Sequence, residues 1–152
     1  MSNRKDIWLQ CETIIHSQVT LKEKMQAICN FLGSQIPAYD WVGFYLSDVK
    51  NKKLHLGPYY GEPTEHNSIS YGKGVCGQSA EAQKTFVIDD VAEEKNYIAC
   101  SINVKSEIVV PIIKKDIVIG QIDIDSHTPS AFKQYDQQLL EKICRELAIY
   151  IE

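Results

Sequence analysis

The chain has no apolar run long enough to cross a bilayer. Its strongest, Ile108-Val109-Val110-Pro111-Ile112-Ile113, is only six residues long, where a spanning helix needs about 20. It has no surplus of basic charge either. Sixteen Lys and Arg stand against 20 Asp and Glu, for a net charge of −4, which argues against nucleic acid as the main partner. The opening residues, MSNRKDIWLQCE, carry charge and no apolar leader, so the cytoplasm is the expected location. None of the five cysteines (Cys11, Cys29, Cys76, Cys100 and Cys144) forms a C-x-x-C pair. A structural zinc motif is therefore not expected, and an odd count without a leader argues against a disulfide framework. Linkers, internal repeats and low-complexity stretches are also missing. What remains is 152 residues, 44% hydrophobic and 24% charged, the profile of one globular domain.

Two amphipathic helices are expected at the start. The first covers about Lys5 to Ser17, with Ile7, Trp8, Cys11, Ile14 and Ile15 at helical spacing. The second begins at Thr20, where Thr20-x-x-Glu23 is a capping box. Leu21, Met25, Ile28 and Leu32 form its stripe, Gly33 is expected to stop it, and Pro37 closes the segment. Strands are expected over Trp41–Leu46, Leu54–Tyr60, Ser68–Tyr71, Thr85–Ile88, Glu107–Ile113 and Ile117–Asp125. A short helix, Val75–Gln83, interrupts them, and a long loop, Val91–Asn103, carries Cys100. A last helix runs from about Asp136 with Leu139, Leu140, Ile143, Leu147 and Ile151 on one face. Cys11, Cys29 and Cys144 sit in or beside these stripes and read as small packed hydrophobes. The order predicts an α+β domain, an antiparallel sheet with helices packed against it.

Gly72-Lys73-Gly74-Val75-Cys76-Gly77 has the G-x-G-x-x-G spacing of a dinucleotide turn. Its context is wrong for that use. Such a turn needs a buried parallel strand before it and a full crossover helix after it, whereas here a short polar strand precedes and a helix of two to three turns follows. The other reading is a thiol site: Cys76 would stand in the first turn of a helix, whose positive end lowers a thiol pKa. A cysteine simply packed under a tight turn is the plain alternative.

Gln121-Ile122-Asp123-Ile124-Asp125 alternates strictly, so Asp123 and Asp125 share one face. That face is either solvated or holds a carboxylate cluster that a cation or a shared proton relieves. Glu107, at the head of the neighbouring strand, would make it three carboxylates, suited to an ammonium group or to a protonated general acid. Tyr97-Ile98-Ala99-Cys100 lies in the loop before Glu107, and a loop cysteine there is a better nucleophile candidate than a core cysteine. His66 is either a loop histidine of no consequence or a polar group over a pocket.

Six segments occur in order: Asp40-Trp41-Val42-Gly43-Phe44-Tyr45-Leu46, Leu56-Gly57-Pro58-Tyr59-Tyr60-Gly61, the Gly72–Gly77 turn, Ile98-Ala99-Cys100, Ser106-Glu107-Ile108-Val109-Val110-Pro111, and Ile122-Asp123-Ile124-Asp125-Ser126. Together they resemble the free methionine-R-sulfoxide reductases, which are built on a GAF domain. The resemblance implies one domain over residues 1–152, a six-stranded antiparallel sheet flanked by helices, often dimeric, and a closed pocket for one free amino acid. It implies that Trp41 and Tyr45 wall the methylthio end, that Glu107, Asp123 and Asp125 bind the amino group and protonate the sulfoxide, and that Cys100 is the nucleophile. It implies no bound cofactor, and a thioredoxin-type or other thiol reductant. The family pattern usually has a third cysteine in the loop before the glycine turn, where this chain has His66. Three readings follow: Cys76 resolves Cys100, an external thiol regenerates Cys100 directly, or the domain binds a small amino acid without turnover. A dimer module without activity is a further reading, which leaves the three carboxylates unused.

Overall fold

The computed structural model describes residues 3–94 and 103–152. Cys100 therefore lies outside the described residues. Helix α1 spans Arg4–Ile15 and α2 spans Leu21–Gln35. At the start of α2, Thr20 accepts from the Glu23 backbone N–H, and the Glu23 carboxylate accepts from the Thr20 backbone N–H, the reciprocal cap that its sequence spelled. Strands β1 (Trp41–Asp48), β2 (Lys53–Tyr60) and β3 (Ser68–Ser70) follow, then helix α3 (Gly74–Ala82), strands β4 (Phe86–Ile88), β5 (Ser106–Lys114) and β6 (Ile117–Ser126), and helix α4 (Gln134–Ala148). A single 3₁₀ turn, Val91–Glu93, follows β4. The six strands form one sheet in the order β3-β2-β1-β6-β5-β4, with every pairing antiparallel. The expected α+β architecture is present.

One local expectation needs correcting. Gly33 does not stop α2. The helix passes through it to Gln35, with Ile36 as its C-cap just before Pro37. Gly33 is required for a different reason: a Cβ there would sit 2.1 Å from the Tyr60 ring, so the ring of a β2 residue occupies the space a side chain would fill.

The sheet separates two layers. On one side α1, α2 and α4 cover Val42 and Phe44 of β1, Ile108, Val110 and Ile112 of β5, and Ile122 and Ile124 of β6. Cys11, Cys29 and Cys144 lie in this layer and pack as small apolar groups; the Cys144 thiol points at the Val110 carbonyl oxygen, 3.6 Å away. On the other side Trp41, Tyr45, Leu54, Ile69, Val75, Cys76, Ala80, Val109 and Val118 form a smaller cluster beneath α3. The period of two along each strand makes this division. Residues 41, 43 and 45 oppose 125, 123 and 121, and 107, 109 and 111 oppose the same three from the other side. Trp41, Tyr45, Glu107, Gln121, Asp123 and Asp125 are therefore delivered to the α3 face by strand register alone.

Candidate active site

The glycine turn comes first, because it sets the roof. Gly72 and Gly74 have φ of +85° and +61°, the left-handed region that glycine adopts without strain. A Cβ on Gly77 would lie 2.4 Å from the Ser70 carbonyl oxygen, so the helix start can touch β3 only if residue 77 is glycine. The Gly72 N–H is bonded to the Gly77 carbonyl at 2.8 Å and the Gly77 N–H to the Lys73 carbonyl at 2.9 Å. These donors are spent within the turn. The turn seats Cys76 as the third residue of α3, with its side chain directed at the sheet.

There Cys76 meets the carboxylates. Its Sγ lies 4.0 Å from Glu107 Oε2, and ligand atoms of Cys76, Glu107 and Asp123 all lie within 4.8 Å of one another. Cys76, Glu107, Asp123 and Asp125 are all buried, with Asp123 and Asp125 each only 1% exposed. Asp125 stands directly between Glu107 and Trp41 in the sheet register. The solvated-face reading of these aspartates is therefore excluded; they belong to an interior cluster. A small cavity of about 10 Å³, room for roughly one water, opens on it, lined by Tyr45, His66, Ile69, Lys73, Val75, Cys76, Glu107 and Asp123 among others.

The electrostatics correct a second expectation. One of the two readings of Cys76 had the helix start lower its pKa. Instead it is raised well above the ordinary thiol value, first by burial, then by the negative charges of Asp123, Glu107 and Asp125 and a hydrogen bond with Asp123. One partial positive charge at a helix end does not offset desolvation together with three carboxylates. Burial also pushes the Asp123 carboxyl up, against hydrogen bonds from Glu107 and Cys76 and the charge of His66, which pull it down. Two carboxyls in hydrogen-bond contact hold a proton between them more readily than either holds it alone. Asp123 Oδ1 has no hydrogen-bond partner among the described residues.

The aromatic pair divides its duties. Tyr45 lines the cavity, and its hydroxyl donates to the His66 carbonyl at 3.2 Å. Trp41 lies on the same face but outside that lining. Its indole covers Gly43, stacks on Tyr59 with ring centroids 5.6 Å apart, and donates from Nε1 to the Glu62 carbonyl at 3.0 Å. The polar ends of both rings thus hold the loop between β2 and β3. His66 is carried by that loop to the cavity wall. Gln121 had no role assigned from the sequence. It is fully buried, and its Nε2 donates to the Cys76 carbonyl at 3.1 Å, tying α3 to β6. The signal for it was the strand alternation itself, which places Gln121 on the face of Asp123 and Asp125.

A curled antiparallel sheet with helices behind it and a thiol–carboxylate pocket under one short helix defines the class of this α+β domain. A family model for the GAF domain matches residues 18–152, and the chain belongs to that family, in the group that holds the free methionine-R-sulfoxide reductases. GAF domain-containing protein A of Dictyostelium discoideum is 41% identical over 107 residues, covering 70% of this chain and 66% of that protein. The free methionine-R-sulfoxide reductase of Saccharomyces cerevisiae is 40% identical over 108 residues, covering 70% of this chain and 59% of that protein. The chain thus spans about two thirds or less of these curated relatives. Two solved structures superpose over nearly its full length. The free methionine-R-sulfoxide reductase of Neisseria meningitidis in complex with its substrate gives a TM-score of 0.92 at 29% identity, covering 99% of this chain and 91% of that one. The reduced enzyme of Staphylococcus aureus gives 0.89 at 34% identity, covering 100% and 97%.

Proposed function

We propose that this chain reduces the R-sulfoxide of free methionine to methionine. The observation that carries the proposal is the buried cluster of Cys76, Glu107 and Asp123 at a small, partly open cavity beside Tyr45. A sulfoxide oxygen is a poor leaving group until protonated, and the carboxyl pair Glu107–Asp123 holds a proton for it. Asp125 and the same pair offer negative charge to the substrate ammonium, and Tyr45 offers an apolar wall to its methylthio end. Cys100 is the nucleophile in this reading. Its thiolate attacks the sulfur, oxygen passes to Cys100 as a sulfenic acid, and methionine leaves. Cys76 then attacks the sulfenic sulfur, water departs, and a Cys76–Cys100 disulfide remains. A thioredoxin-type reductant returns both thiols. No bound cofactor enters the cycle. A homodimer in the cytoplasm is part of the same proposal.

One observation favours a second reading. The Cys76 thiol is buried among negative charges, which makes it a slow nucleophile. In the second reading an external thiol regenerates Cys100 directly, or the domain binds methionine or its sulfoxide without turnover.

The test is methionine release from methionine-R-sulfoxide with dithiothreitol or with thioredoxin and its reductase. Turnover is expected with both, and Cys100→Ser is expected to abolish it. Cys76→Ser is expected to lose turnover with thioredoxin and keep it with dithiothreitol. Activity that survives Cys100→Ser overturns the nucleophile, and binding without turnover in the parent protein establishes the non-catalytic reading.

A further inference from the structure

We propose that Cys76, Glu107 and Asp123 form a binding site for a thiophilic divalent cation, Zn²⁺ above all, and that occupancy of this site closes the pocket to other ligands. No zinc spacing exists in the sequence. The fold makes the site by bringing one ligand from α3, one from β5 and one from β6 to a single point.

The geometry is close to what the ion needs. The three ligand atoms lie within 4.8 Å of one another, and Sγ is 4.0 Å from Glu107 Oε2. A tetrahedral zinc with ordinary Zn–S and Zn–O lengths holds its ligand atoms roughly 3.4–3.6 Å apart. Side-chain rotation of about an ångström closes the difference. A solvent molecule from the cavity completes the coordination.

A second observation is independent of the clustering. Asp123 is 1% exposed and lines the cavity; its carboxyl is hydrogen-bonded to Glu107 and Cys76, yet Oδ1 is left with no hydrogen-bond partner among the described residues. A buried carboxylate oxygen left without a donor costs free energy that a cation recovers. Charge acts in the same direction. Asp125 adds a third buried carboxylate beside the trio, and a divalent ion offsets that charge where one proton cannot. The thiolate selects the metal: sulfur with carboxylate oxygen suits zinc and cadmium, while magnesium and calcium prefer oxygen alone. Binding breaks the S–H bond of Cys76, forms the metal–sulfur bond and releases the proton to solvent.

This inference does not depend on the sulfoxide reductase reading, although both use the same pocket. The test is titration of the reduced full chain with Cd²⁺, read by the ultraviolet thiolate-to-metal charge-transfer band, and with Zn²⁺ in competition with a chromophoric chelator. One ion per chain is expected. The band is expected to persist in Cys100→Ser and to disappear in Cys76→Ser. Asp123→Asn, checked for native circular dichroism, is expected to weaken Zn²⁺ at least about tenfold, because it removes one anionic ligand. A band that survives Cys76→Ser, or Zn²⁺ bound as tightly by Asp123→Asn as by the parent, overturns the site. Prior saturation with methionine is expected to weaken Zn²⁺. If methionine binds the metal-free chain but fails to compete with Zn²⁺, closure of the pocket by the ion is overturned; if methionine does not bind the metal-free chain, the amino-acid pocket is overturned and the metal site stands.

Discussion

Asp123 is asked for two incompatible things, a stable fold and a reactive pocket. Burial raises its carboxyl above the ordinary 3.8, so the folded chain favours the protonated form. The sign of the effect on stability follows. A raised folded pKa contributes stability in full below the unfolded value and loses it as pH rises through the folded value. At neutral pH this carboxyl is therefore a burden, which Asp123→Asn removes at nearly constant shape. The variant is expected to melt a few degrees above the parent near pH 7.5, with the gain shrinking toward pH 4, while methionine binding and turnover fall. Melting curves at both pH values check this; a gain equal at the two would contradict the titration argument. The companion residue, Cys76, was legible in the sequence as a thiol at a helix start, but its pKa was not. The carboxylates that raise it arrive from β5 and β6, about 30 and 50 residues away in the chain, and no local pattern reports them.

Helix α2 shows the same limit at the scale of an element. Its start was readable because the cap is local, with Thr20 and Glu23 three residues apart. Its end was misread because the reason for Gly33 is Tyr60, on another element. Replacing Gly33 by alanine adds helix propensity of about 1 kcal/mol, but it drives a methyl into the ring, and overpacking costs about 1–3 kcal/mol. Gly33→Ala is therefore expected to lower the urea midpoint. In a Tyr60→Ala background, where the ring is gone, the same change is expected to raise it. Urea titrations of the four proteins give the cycle, and an unchanged sign in both backgrounds would show that the ring is not the cause. The strands were easier to read: their alternation is itself the sheet register, which puts Asp123 and Asp125 on one face, with Glu107 a candidate third from the head of the neighbouring strand, before any pairing is known.

For the whole molecule, protons held in the interior set the alkaline limit. Burial raises the thiols of Cys29, Cys76 and Cys144, pushes Cys11 up to about 12, and with Asp136 raises the Tyr39 hydroxyl. All five groups are neutral when protonated. The folded chain keeps these protons at pH values where the unfolded chain, with thiols near the ordinary 9.0, releases them. The contribution of these groups is then complete below about pH 9 and falls as pH rises beyond it. The urea midpoint under reducing conditions is expected to be level between pH 7.5 and 8.5 and to drop by pH 10. A level midpoint through pH 10 would mean that the thiols are not buried as described.

The strand Gln121–Asp125 carries a final consequence. Its odd-numbered residues make the pocket, and its even-numbered isoleucines fill the helix-covered layer. A slip of one residue would exchange the two sets and sink the carboxylates into hydrocarbon. Assembly is thus self-inspecting: a molecule with a misplaced site has no stable core and falls to proteolysis, while any molecule that survives carries its carboxylates in place. Substitutions that spoil the pocket can leave the fold intact, but errors in pairing cannot leave the pocket spoiled and the fold sound.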